Sequence, residues 1–213
     1  MEAVDAADVI RELREDRAEQ EAEERFRSVV ALAIAFLATL LAIASLGGGN
    51  VGEDMVHANI KASDTWAFFQ AKNIRQTSLN LAADEMEATL LIHGNSLSPE
   101  AHKNLQEKIE RYRATSARYD SEPDPKAPND SLRGEGKAQL AAQARDWERQ
   151  RDKARERDVN FDYSEIFFQI AIVLGSVAIL ALSRPIFITS LALGGVATVL
   201  MLNGYFLLFP LPL

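Results

Sequence analysis

The chain has 213 residues, enough for one or two domains, and combines 47% hydrophobic with 25% charged residues. Its 23 Lys and Arg against 31 Asp and Glu leave a formal net charge of −8, which argues against nucleic acid as a partner, because affinity there depends on neutralising phosphates with Lys and Arg. The absence of cysteine removes disulfide frameworks, thiol nucleophiles and cysteine-ligated metal sites.

Residues 1–27 hold ten acids and five arginines. Opposite charges fall at helical spacing, as at Arg11 with Glu15 and Glu21 with Arg25, so this segment reads as a solvated acidic helix. No charged side chain then occurs over 28–52, 166–183 or 185–213. This segregation predicts an all-α membrane protein with three transmembrane helices, at 28–46, 163–183 and 185–208, followed by a tail at 209–213. The acidic segment before the first apolar run favours an uncleaved anchor over a signal peptide. Gly47, Gly48 and Gly49 predict a hinge over 47–52, where the helix ends, kinks or swivels. Arg184 followed by Pro185 predicts a tight turn between the second and third spans, with Arg184 held out of helical geometry.

The polar stretch 53–162 predicts a long extramembrane α-helical hairpin, coiled-coil-like, inserted between the first and second spans. A helix from Glu53 to about His93 stops at Gly94. Ser98, Pro99 and Glu100 then supply an N-cap, a first-turn proline and a favourably placed acid. In the helix they start, Leu105, Ile109, Tyr112, Ser116 and Tyr119 alternate at spacings of four and three, the period of a packed helix seam. Residues 120–130, with Pro123, Pro125 and Pro128, predict a loop. A third helix is expected from Ser131, interrupted early by Gly134 and Gly136, with Leu140, Ala144, Trp147 and Ala154 as its apolar stripe.

Chemistry has little local support. His57, His93 and His102 lack metal-ligand spacing, and Asp120, Glu122 and Asp124 run into Pro125 where a calcium loop needs further ligands. No nucleotide-binding or hydrolase motif occurs. The expectation is a non-enzymatic protein without cofactor or metal. The uncharged runs 28–46, 166–183 and 185–208 carry no Asp, Glu, Lys, Arg or His, which disfavours a carrier. Their polar groups include Gln169, Thr189, Thr198 and Asn203, which a small oligomeric channel would use to line a pore. Small residues at Ala31 with Ala35, Ala171 with Gly175, and Gly194 with Gly195 suit close transmembrane packing within or between chains.

The run from Ala62 to Arg75 is the most unusual. It sets Trp66, Phe68 and Phe69 among polar groups, with Trp66, Phe69 and Asn73 on one face and Ser63, Ala67, Gln70 and Ile74 on another. Three readings stand: a helical core packing Trp66 against Trp147 or Tyr112, a partner or oligomer interface carried by Ser63, Asp64, Trp66, Phe69, Gln70 and Asn73, or a membrane-surface anchor. The Ala-Ser-Asp-x-Trp-Ala start and the Gln-Ala-Lys continuation, placed after a first span and far upstream of paired C-terminal spans, resemble the bacterial membrane family known as domain of unknown function 4337. Members often carry tyrosine where this chain has Phe68 or Phe69. The resemblance implies a bacterial inner-membrane protein without an assigned activity, and it adds no catalytic residues.

The expected function is therefore an integral inner-membrane scaffold or accessory subunit, in contact with membrane lipids and assembling as a homo-oligomer or within a larger complex. Arg25, Arg27 and Arg184 flank the short connections, which predicts a cytoplasmic N-terminus and a periplasmic helical domain over 50–165.

Overall fold

The computed structural model describes residues 2–211, and the side chains of residue 11 and of residues 13–211. Met1, Pro212 and Leu213, which belong to the expected N-terminal helix and C-terminal tail, lie outside the described residues. Four α-helices account for almost all the rest: α1 (Glu2–His93), α2 (Pro99–Asp120), α3 (Lys137–Ala181) and α4 (Arg184–Phe206), with one 3-10 turn at Gly94–Ser96. No strand occurs among the described residues. Three helices are long and apolar enough to cross a membrane: α1, α3 and α4.

Proline placement explains why two helices run so long. None of the seven prolines lies within α1 or α3, so no missing N–H interrupts their hydrogen-bond ladders. Pro99 and Pro185 occupy first turns, and Pro123, Pro125 and Pro128 fall in the loop. Helix α1 stops where Gly94 was expected to stop it. The Ser98 side chain caps α2 by accepting from the Ala101 N–H at 3.2 Å.

The structure departs from sequence expectation at four boundaries. The glycine run does not end the first helix, because α1 continues unbroken through 47–52. The third polar helix starts at Lys137 rather than Ser131: Gly134 adopts a φ of +117° in a turn that bridges back to Pro123, so the loop extends to Gly136. Arg184 is helical, as the first residue of α4, and the break falls one residue earlier at Ser183. Left-handed Leu182, at φ +49°, completes that turn, and the Ser183 N–H donates to the Ala178 carbonyl at 3.2 Å. The last helix ends at Phe206 rather than 208, with Leu207 left-handed at φ +48° and its N–H on the Asn203 carbonyl at 2.8 Å.

The chain divides into two compact units. Unit 1 combines the chain up to Glu53 with the chain from Ala154 onward, and unit 2 is Asp54–Lys153.

Unit 1 packs the three apolar stretches around Val30, Leu37, Ala44, Phe161, Phe168, Ala171, Ala178, Ala197 and Met201, all buried. Phe161 explains the glycines. A Cβ on Gly47 would lie 2.7 Å from its ring, one on Gly204 2.9 Å and one on Gly48 3.2 Å from Phe161 Cβ, so α1 and α4 approach this aromatic closely. Tyr205 meets the same ring edge to face at 4.9 Å and donates its hydroxyl to the Ile43 carbonyl at 3.1 Å.

Unit 2 buries an edge of α1 that repeats at spacings of four and three: Ala58, Ala62, Thr65, Phe69, Lys72, Gln76, Leu79 and Ala83 are all buried or half-buried. In α2 the five seam residues read from the sequence occupy the covered side, with Ile109 and Ser116 buried and Leu105, Tyr112 and Tyr119 half-buried. In α3, Leu140 and Ala144 are buried in this unit.

Candidate functional site

The 62–75 segment lies in unit 2, where its helical phase decides which residues face inward. Lys72 is the centre of that face. Only 4% of it is exposed, and its ammonium donates to Glu122 Oε2 at 3.1 Å and to the Glu135 carbonyl. The Phe68 and Tyr119 rings flank it at 5.6 and 5.3 Å, a placement that favours a cation over aromatic faces. A buried ammonium is costly unless paired and hydrogen-bonded, and here a carboxylate, a carbonyl and two rings share the compensation. Both polar partners belong to the 121–136 loop, so Lys72 fastens that loop to α1.

Neighbouring bonds reinforce the attachment. Gln139 accepts from the Glu122 N–H at 3.1 Å and donates to Ser121 Oγ at 3.2 Å. Gln143 donates to the Gly134 carbonyl at 2.9 Å, and Gln76 donates to the Ser116 carbonyl at 2.9 Å. Lys137 pairs with Asp120 at 3.0 Å and donates to Asn73 Oδ1 at 3.3 Å. Gln76 and Lys137 hold the Asp120 carboxyl below its usual range. Farther along α2, Arg113 pairs with Asp84 and Glu87 of α1, and hydrogen bonds to these acids raise its guanidinium further.

Of the expected contact residues, Trp66 and Phe69 are half-buried, while Ser63, Asp64, Gln70 and Asn73 are exposed. Trp66 packs on neither Trp147 nor Tyr112 through a ring contact. Its indole N–H donates to Glu148 Oε1 at 2.9 Å, and its ring meets Phe69 edge to face at 5.5 Å. Trp147 instead contacts His57 at 5.9 Å. The inward face thus carries an amine and an amide, Lys72 and Gln76, that the sequence reading did not assign to it. The signal was the four-and-three repeat itself, which passes through both.

In unit 1 the small residues split. Ala171, Gly175 and Gly194 are buried: a Cβ on Gly175 would lie 2.8 Å from Ile34 and one on Gly194 2.5 Å from Leu37. Ala31, Ala35 and Gly195 are exposed and make no close packing within the chain. Ser164 and Ser190 donate across helices to the Ala197 and Ala171 carbonyls at 2.9 and 2.6 Å. Asn203, fully buried, donates to Asn160 Oδ1 at 2.7 Å and to the Phe209 carbonyl at 2.9 Å, and accepts from the Phe209 N–H. Thr189 and Thr198 donate to carbonyls of their own helix, and Gln169 is exposed. Near the start of the unit's α3 segment, burial and the neighbouring Asp162 push the Asp158 carboxyl up.

Among the described residues no three His, Asp or Glu side chains converge as a metal site, and no buried side-chain nitrogen or oxygen lacks a partner. What the arrangement offers is a fastened polar core with exposed helix faces.

The family model for the domain of unknown function named DUF4337 matches residues 26–207. The chain belongs to the DUF4337 family. That match takes in most of α1 and all of α2, α3 and α4, and so reaches both units of this DUF4337 member. No curated protein and no solved structure is significantly similar to it.

Proposed function

We propose that this DUF4337 protein is a non-enzymatic, three-span inner-membrane protein of bacteria, serving as a scaffold or accessory subunit through extramembrane helices. The observation that carries the reading is the contrast between the two sides of the 54–93 stretch of α1. Its inner side is fully engaged by Lys72, Gln76 and Trp66, while its outer side exposes aliphatic residues without a partner. Ser63, Asp64, Gln70 and Asn73 are available to a partner, and Trp66 and Phe69 brace the helix that presents them.

Topology follows from charge. Phe26 and Phe187 meet edge to face at 5.9 Å, so Arg25, Arg27 and Arg184 sit at one end of unit 1. A basic end of this kind faces the cytoplasm, with the polar helices in the periplasm as a helical hairpin. The absence of Asp, Glu, Lys, Arg and His from the apolar stretches supports a scaffold over a carrier. A small oligomeric channel is the second reading, favoured by one observation: Gln169 is a polar residue exposed on an apolar stretch.

Extraction in a lipid-preserving polymer followed by native mass spectrometry tests the proposal. A discrete oligomer, or stoichiometric foreign subunits, is the expected result, and a solitary monomer would sink it. Ion flux through purified protein in liposomes would favour the channel.

A further inference from the structure

Within unit 2, Val56, Ile60, Ile74 and Leu81 of α1 are 55, 53, 67 and 59% exposed. They interleave at spacings of four and three with Ser63, Ala67, Gln70 and Thr77, all exposed. A repeat of 3.5 residues is the period of a helix paired along its length with another helix. The inner edge of the same helix shows that period and is covered by α2 and α3, whereas this outer edge is bare.

Its charge pattern selects the occupant. Between positions 56 and 81 the helix carries Lys61, Asp64, Lys72 and Arg75, and none falls on the outer stripe. Copies inserted with one topology run parallel, and in a parallel two-fold pair each seam residue faces itself. A charge anywhere on the seam would then meet its like. A foreign helix imposes no such condition, because it can supply the opposite sign. The flanks fit as well: Asn59 and Asn73 border one side, and Asp64 and Ser78 the other. A two-fold axis sets amide donors of one copy beside carboxylate and hydroxyl acceptors of the next.

At about 1.5 Å per residue and about 10 Å across, the stripe offers roughly 400 Å² per copy, about half of the roughly 800 Å² per partner of a standard interface and so the size of a weak, reversible pair.

We infer that the outer edge of α1 is a parallel two-fold interface with a second copy of this chain. The inference rests on the scaffold reading and names its partner. The chain lacks cysteine, so single cysteines are clean probes. Ser63→Cys, Gln70→Cys and Thr77→Cys, oxidised in native membranes, are expected to give disulfide-linked dimers, and Lys61→Cys and Arg75→Cys are not. Native mass spectrometry of the unmodified chain should give twice its mass, and Ile74→Glu with Leu81→Glu should return it to a monomer that remains inserted. Cross-linking confined to positions 61 and 75 would overturn the assigned face. One copy per particle with stoichiometric foreign subunits would overturn the second-copy inference and leave the scaffold reading intact. One copy with no other chain would overturn both.

Discussion

Asn203 donates to Asn160 at 2.7 Å in the interior of unit 1, and both residues are almost fully buried, at 0 and 1% exposure. Asn203 also holds both backbone polar groups of Phe209, so one side chain ties the C-terminal tail to α3. Asn203→Leu should leave the Asn160 oxygen and the Phe209 N–H unpaired, a cost of about 1–3 kcal/mol for each buried group. Thermal unfolding in lipid nanodiscs measures it. The double variant with Asn160→Leu should cost less than the two single changes combined, because both partners are then apolar.

Lys72→Met removes a buried ammonium and leaves Glu122 with Arg118, at 3.4 Å, as its remaining ion partner. Breaking a buried charge pair typically costs about 3–5 kcal/mol, but Glu122 keeps 34% of its side-chain exposure, so about 2 kcal/mol is expected for this pair. Adding Glu122→Gln should recover part of it. Limited proteolysis should show cleavage within 121–136 rising in Lys72→Met and falling back in the double variant.

Gly47 and Gly49 are two residues apart and should respond with opposite signs. A Cβ on Gly47 would lie 2.6 Å from the Tyr205 hydroxyl and 2.7 Å from Phe161, whereas nothing lies within 4 Å of one on Gly49. Gly47→Ala should destabilise by about 1–3 kcal/mol through overpacking. Gly49→Ala should stabilise by about 0.5–1 kcal/mol by favouring the helix. Midpoints of thermal unfolding for the two variants decide it.

Asp120 gives unit 2 an acid-side pH dependence. Its carboxyl titrates below its ordinary value of 3.8 in the folded state, so its contribution is present above that value and is lost as pH falls through the folded one. Asp120→Asn should flatten the loss of helicity on acidification below about pH 4. Circular dichroism across an acid titration, at low ionic strength, is the measurement.

Local chemistry made much of the fold legible. The stop at Gly94, the Ser98 cap with Pro99, the loop prolines and the turn before Pro185 all depend on residues within a few positions of one another. Gly47 and Gly48 were read as a hinge, whereas their reason lies elsewhere in the chain, in a phenyl ring at 161 that needs their missing side chains. Lys72 was overlooked because its partners, Glu122 and Glu135, are 50 and 63 residues downstream. A charged residue on an inner seam looks like an error until they are in place. Trp66, Phe69 and Asn73 were read as sharing a face, whereas the covered edge runs through Phe69 and Lys72 and leaves Asn73 exposed.

Unit 1 is assembled from the two ends of the chain, with Asp54–Lys153 intervening, and that arrangement dictates an order of events during synthesis. At about 5–20 residues per second, the first apolar stretch waits several seconds before α3 emerges. Throughout that interval Val30, Leu37, Ala44 and Gly47 face surroundings that are not their final neighbours. The nascent chain must therefore tolerate a solitary first helix, and the last two helices, joined by only Leu182 and Ser183, arrive as a pair to complete it. Slow, late closure of this kind is a point at which the course of synthesis determines yield, well before stability of the finished protein matters.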